Sequence, residues 1–210
     1  MTSTFNPHTD YFFEDDRALL RPLVESDFEF LLPFATNEPD TWNHSAISAK
    51  GEDGMKSYLQ SAIAGRAQGK EYRFIVFDKL SNEYAGSTGF YDIQPINQTL
   101  QLGYTWYGEK FRGTGLNKHC KFLLLQFAFE VIGMLRVEFR ADARNERSVA
   151  AMKSIGCVEE GILRSSTPLC GGGRRDSIVL SILADEWKNG VKDRLEQRLV
   201  HHPNVIIKKF

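Results

Sequence analysis

The chain has 210 residues, 42% of them hydrophobic and 25% charged, with a formal net charge of -1. That length suffices to bury a full core without disulfide or metal staples, and the near-neutral balance leaves no electrostatic footprint for nucleic acid or an anionic membrane. Three widely spaced cysteines, Cys120, Cys157 and Cys170, form neither a disulfide framework nor a metal-ligand cluster, so free thiols in a reducing cytoplasm and no metal are expected.

Residues 1–16 read as an N-terminal extension, without the basic and then apolar regions of a signal peptide. Ala18 to Leu23 is a first strand, and Glu25-Ser26-Asp27 offers helix-start chemistry before Phe28. Pro33 and Pro39 bracket an irregular stretch through Trp42 and His44. From Glu52 to Ala67, Met55, Tyr58, Leu59, Ala62 and Ile63 recur at spacings of three and four, predicting a helix with one buried face. Three further strands follow, Tyr72 to Phe77, Tyr84 to Ile93 and Leu100 to Tyr107, with short polar connections that favour antiparallel hairpins.

The order then changes. Leu116 to Ile132 is apolar on most of its circumference, which predicts a helix sandwiched in the core. Its apolar cluster, Phe122 to Met134, is interrupted by Gln126 and Glu130 and is too short to span a bilayer. Leu135 to Ala141 is a strand, and Glu146 to Ser154 a short helix closed by Gly156. Val158 to Arg164 and Asp176 to Leu183 form a last strand pair around the turn Gly171-Gly172-Gly173, and Asp185 to Val200 a terminal helix. Residues 17–200 therefore read as one α/β domain, antiparallel first and strand-helix-strand later, with 201–210 as a tail.

Arg112-Gly113-Thr114-Gly115-Leu116-Asn117 stands between the strand ending at Tyr107 and the buried helix. Glycines let a backbone approach an oxyanion closely, and the unpaired amides of a first helical turn then point at its charge. A phosphate or pyrophosphate is the expected ligand. The ending Leu116-Asn117 lacks the Lys-Ser/Thr of a nucleoside-triphosphate loop, which ranks an ATP-binding reading last.

Taken with Leu19-Leu20-Arg21-Pro22-Leu23, Leu102-Gly103-Tyr104-Thr105-Trp106, Ala143-Arg144-Asn145-Glu146-Arg147-Ser148, Ile155-Gly156-Cys157 and Glu160-Gly161, this order resembles the GNAT N-acetyltransferase superfamily. It is nearest the RimJ/RimL type, which acetylates ribosomal-protein alanine, and the likeness runs from about Leu19 to Leu199. The resemblance implies an α+β mixed, mostly antiparallel twisted sheet flanked by helices and splayed between the fourth and fifth predicted strands. It also implies a loop of the form Arg/Gln-x-x-Gly-x-Gly/Ala holding the pyrophosphate of coenzyme A. Here Arg112, Gly113, Thr114, Gly115 and Leu116 match, and Asn117 replaces the last small residue. Thr105, Trp106 and Tyr107 fall where a bulge opens the strand to the pantetheine.

By the same resemblance Ser148 lies near the sulfur, to hydrogen-bond the departing thiolate, or else only caps its helix. Asn145 bonds the pantetheine, caps the helix, or does both. Trp42 and His44 fall in the acceptor-binding loop, Trp42 as a pocket wall or as core. Relatives often carry a glutamate base where this chain has Gln101. Asp92, Glu138, His44 or a water relay are the alternatives, and no single base is chosen.

The resulting expectation is a cytoplasmic acyltransferase that moves acetyl from acetyl-CoA to a primary amine, either a protein N-terminus or a small amine. A non-catalytic coenzyme A-binding module is the alternative, motivated by Gln101. The amphipathic terminal helix and the apolar Val205-Ile206-Ile207 point to a homodimer.

Overall fold

The computed structural model describes residues 5–170, 172–199 and 204–210. Gly171 of the predicted glycine turn and Val200 at the end of the predicted terminal helix lie outside them.

Nine strands form one sheet among the described residues, in the order β7-β8-β6-β5-β4-β3-β2-β1-β9. They are β1 (Tyr11–Glu14), β2 (Ala18–Pro22), β3 (Glu71–Asp78), β4 (Glu83–Gln94), β5 (Thr99–Tyr107), β6 (Arg136–Asp142), β7 (Val158–Pro168), β8 (Arg174–Leu183) and β9 (Ile206–Lys209). The helices are α1 (Phe28–Asn37), α2 (Gly51–Ala67), α3 (Leu116–Gln126), α4 (Glu146–Ser154), α5 (Ala184–Glu186) and α6 (Lys192–Glu196). Each described pairing is antiparallel except β5 with β6. That exception follows from the connection, because α3 carries the chain back across the sheet before β6 begins.

The helices sandwich the sheet. Beneath α3, Tyr11, Phe13, Tyr72, Phe74, Phe90 and Phe127 form an aromatic cluster with centroid spacings from 4.8 to 6.4 Å. On the face covered by α1 and α2, Phe34, Trp42 and Tyr58 surround Trp106. As the apolar run Leu116 to Ile132 predicted, α3 is buried nearly all round and continues through a π-turn over Phe127–Val131.

Five details depart from the sequence reading. Pro33 lies inside α1, on its exposed side, so the rung it removes leaves a carbonyl that solvent can satisfy. Ile63, expected on the buried face of α2, is 38% exposed. The predicted terminal helix is broken: Gly190, at φ 124°, separates α5 and its π-turn from α6. Residues 11–14, inside the predicted extension, form β1, which pairs with β2. Val205-Ile206-Ile207 is no free apolar tail either, because β9 pairs with β1 from Tyr11↔Lys209 to Glu14↔Ile206. Both features that suggested a dimer are thus accounted for within one chain.

Candidate active site

Among the described residues β5 and β6 pair only over Thr99–Gln101 against Arg136–Glu138, and beyond Gln101 β5 has no partner on that side. β6 turns instead to β8, with which it stays paired as far as Asp142↔Ser177. The sheet is therefore splayed between the fourth and fifth predicted strands, here β5 and β6. A bulge accompanies the opening. Ser87 faces Trp106 and Gly89 faces Gly103, so that two residues of β5, Tyr104 and Thr105, oppose Thr88 alone. Tyr104 adopts φ 51°, a conformation uncommon for a residue with a side chain.

At the far end of the free stretch, Gly113 (φ 74°) and Gly115 (φ 92°) take left-handed conformations, and Gly115 is the N-cap of α3. A Cβ at Gly113 would meet nothing within 4 Å, so glycine is needed there for its backbone angle. Among the described residues no hydrogen bond is made by the amides of Gly113, Thr114, Gly115 and Asn117, while Thr114 Oγ1 donates to the Phe111 carbonyl at 2.8 Å. Four unpartnered donors at a buried helix's N-terminus make a cradle for an anion. Asn117 Oδ1 is buried without a partner among the described residues. The Arg112 guanidinium is turned back, its Nε donating to the Tyr107 carbonyl (2.9 Å) and Nη2 to Thr41 Oγ1 (2.7 Å). It ties the α1–α2 loop to the end of β5.

The remaining predicted residues lie at the start of α4 and on the connection between α1 and α2. Asn145 caps α4, its Oδ1 accepting from the Ser148 amide at 3.1 Å. The half-buried Ser148 hydroxyl makes no hydrogen bond among the described residues. Trp42 is only 4% exposed and packs on Trp106 with ring centroids 5.4 Å apart. The Trp106 indole donates to Tyr58 Oη at 3.2 Å, so its side chain faces the core while its main chain lies on the free stretch. His44 is exposed, with Nδ1 4.0 Å from Asp142 Oδ2. A hydrogen bond from Arg144, with further help from the Arg144 amide and His44, holds the Asp142 carboxyl down at about 2 against an opposing effect of burial.

A profile of the acetyltransferase (GNAT) domain matches residues 17–158. The chain belongs to the GNAT acetyltransferase family. It is 30% identical over 103 residues to YdaF of Bacillus subtilis (strain 168), a candidate ribosomal N-acetyltransferase, an alignment covering 49% of this chain and 55% of YdaF. The chain thus spans about half the length of that relative. A crystal structure of a candidate acetyltransferase from T. thermophilus superposes with a TM-score of 0.81 at 33% identity, covering 90% of this chain and 96% of that one. Mycobacterium smegmatis RimJ, solved in complex with CoA-disulfide, shares the fold with a TM-score of 0.73 at 19% identity, covering 93% and 96% of the two chains.

Within this GNAT framework three side chains stand out that sequence reasoning missed. Arg147, exposed in the first turn of α4, lies close enough to Arg112 that its charge, after burial, pushes the Arg112 pKa down. Two arginines that repel each other beside an anion cradle are a further draw for negative charge. Tyr104 stacks under the buried Arg73 guanidinium, 3.8 Å from its ring centroid. Lys121, on α3, is buried and holds Thr105 Oγ1 at 2.7 Å. Arg147 was legible as a basic residue within the Asn-Glu-Arg-Ser element. No spacing rule marks the other two.

The carboxylates weighed as general bases are engaged. Glu138 is held by Arg136 at 2.8 Å and Arg140 at 2.7 Å. Asp92 accepts from the Gln101 amide at 2.8 Å and from Gln94 at 2.8 Å. On the α2 face an open groove of about 600 Å³ runs from Gly65 past Glu71 and Asp92 to Tyr91 and Tyr104. Among the described residues no group of acidic, cysteine or histidine side chains could hold a metal, and no helix is long and apolar enough to cross a membrane.

Proposed function

We propose that the protein transfers acetyl from acetyl-CoA to a primary amine, a protein N-terminus or a small amine, by direct attack on the thioester. The observation that carries this reading is the continuity of the opening, from unpartnered amides at the α3 N-terminus along a strand edge without a partner to a bulge. A coenzyme with an anionic end and an amide-bearing arm fits such a track, and GNAT family membership supports it.

In this reading the amides of Gly113, Thr114, Gly115, Leu116 and Asn117 bind the pyrophosphate, with Arg112 and Arg147 adding positive charge. The main chain of Thr105, Trp106 and Tyr107 pairs with the pantetheine, and Asn145 adds a contact from the start of α4. An amide of the Tyr104 bulge stabilises the tetrahedral oxyanion. Ser148 hydrogen-bonds the departing thiolate, while Trp42 and His44 border the acceptor. Holding amine and thioester together supplies much of the acceleration, because the thioester is already reactive. With Glu138 and Asp92 engaged, the proton of the attacking amine leaves through water or His44. A coenzyme-binding module without turnover is not favoured, since Gln101 alone motivates it and acetyl transfer requires no covalent enzyme intermediate.

Calorimetry with coenzyme A and acetyl-CoA, using ATP and NAD as controls, tests the assignment. Selective binding of the coenzyme that Gly115→Glu abolishes without unfolding is the expected result. Equal binding of ATP, or undiminished binding by the variant, overturns it.

A further inference from the structure

Lys121 lies within the second turn of α3, with the residue as a whole only 5% exposed. Among the described residues no carboxylate forms an ion pair with it. Its Nζ donates instead to two hydroxyls, Thr105 Oγ1 at 2.7 Å and Thr88 Oγ1 at 3.0 Å. Those two hydroxyls are themselves 2.8 Å apart. Thr105 is one of the two bulge residues that oppose Thr88. Its side chain belongs to an exposed residue on the stretch of β5 that β6 has left. A buried cation thus reaches the opening through a single hydroxyl.

Burying an ammonium without a counter-charge is costly, and here burial draws the Lys121 pKa down to about 7. The titratable neighbours that act on it are the thiols of Cys120 and Cys157, both pushed up by burial and so uncharged near neutrality. Among the described residues nothing neutralises Lys121. In acetyl transfer from a thioester, the negative charge that develops last is on sulfur, in the same opening.

We propose that Lys121 and Thr105 form a proton path to the sulfur of the departing coenzyme thiolate, with Thr105 Oγ1 touching the sulfur and Lys121 positioned behind it. The inference rests on the acetyl-CoA reading given above. As the amine nitrogen bonds the acetyl carbon and the carbon–sulfur bond breaks, the bonding pair stays on sulfur. The Thr105 hydroxyl, which donates to the Gly103 carbonyl at 3.2 Å, turns its proton to that sulfur and takes one from Lys121 Nζ. Neutral Lys121 is recharged by the proton that leaves the attacking amine, through water. The sum is amine plus thioester to amide plus thiol, with no other reactant. Ser148, on α4, remains a second hydrogen-bond donor to the same atom.

The path is testable without knowing the acceptor. Titration of the bound coenzyme A thiol, followed by thiolate absorbance in the ultraviolet, should give a midpoint below that of free coenzyme A for the native protein. Lys121→Met and Thr105→Val should each raise it by about one pH unit, a tenfold change in thiolate stabilisation, at coenzyme concentrations that keep each variant saturated. Lys121→Arg, which keeps the charge, should retain most of the lowered midpoint. Thr105→Val leaves the buried lysine in place and is the decisive variant if Lys121→Met does not fold. Identical midpoints in native protein and both variants, with coenzyme bound throughout, overturn the path and leave the acetyl-CoA reading standing. Failure of the native protein to bind coenzyme A overturns both.

Discussion

At position 148 the amide and the hydroxyl serve different ends. The amide donates to Asn145 Oδ1, which makes Asn145 the cap, whereas the hydroxyl is free to meet a ligand. The two substitutions should therefore separate. Asn145→Ala removes the cap and should cost about 1 kcal/mol, lowering the melting temperature by roughly 2–4 °C. Ser148→Ala leaves the cap intact and should lower kcat on the order of tenfold with an unchanged melting temperature and little change in KM for acetyl-CoA. An unaltered kcat would return Ser148 to a purely structural place in α4. Arg147, beside Arg112 at the cradle, should behave in the opposite way. Arg147→Ala should raise KM for acetyl-CoA roughly tenfold, about the worth of one charge-assisted contact, while kcat holds. A KM within twofold of the native value would remove it from the site. These residues differed in how far the sequence disclosed them. The glycines, Asn145 and Ser148 sit in short motifs whose chemistry is local. The contact of Lys121 with Thr105 joins a helix to a strand bulge, and no local pattern encodes that bulge.

Among the elements, the junction of β6 with α4 has a pH signature. Asp142 anchors it, bonded by Arg144 Nε and Nη2 and by the Arg144 amide. Its carboxyl is lowered to about 2 in the fold, while an unfolded aspartate titrates near 3.9. A depressed carboxylate contributes stability that is complete above the unfolded value and is lost as pH falls through the folded one. The native protein should therefore lose stability between about pH 4 and pH 2. Asp142→Asn should show a shallower dependence over that window in denaturant melts, and an unchanged slope would exclude Asp142 as its source. Periodicity served well for the elements that pack one face or all faces. It placed α4 at its observed limits and found the three central strands to within a residue or two. It failed on the terminal helix because Trp187, Val191 and Leu195 keep a helical spacing across Gly190. All three are buried, so the apolar pattern persists while the backbone turns out of helix at Asn189 and Gly190. Hydrophobic spacing reports which side chains face the core, and a single left-handed glycine does not disturb it.

Across the whole molecule, the sheet separates the opening from the edge strands β1 and β9. β9 and β1 form the edge pair, held by the four-residue register, by reciprocal backbone bonds between Asp10 and Phe210 at 3.0 Å and by Lys208 on Glu14 at 3.0 Å. Neither strand was legible from sequence. Tyr11–Glu14 and Ile206–Lys209 have four residues each, too few for alternation to register, and their pairing with each other spans nearly two hundred positions. From β9 to β5 the sheet runs through β1, β2, β3 and β4. Removing residues 204–210 should therefore affect stability and chemistry unequally. The truncated protein loses several backbone hydrogen bonds worth about 0.5–1.5 kcal/mol each, and its melting temperature should fall by several degrees. The bared edge of β1 should also make it more prone to associate. Well below that melting temperature, coenzyme A affinity and kcat should match the native values, because the bulge, the cradle and α4 keep all their contacts. A truncated protein that kept its stability but lost coenzyme affinity would show the reverse, an edge coupled to the opening through the sheet.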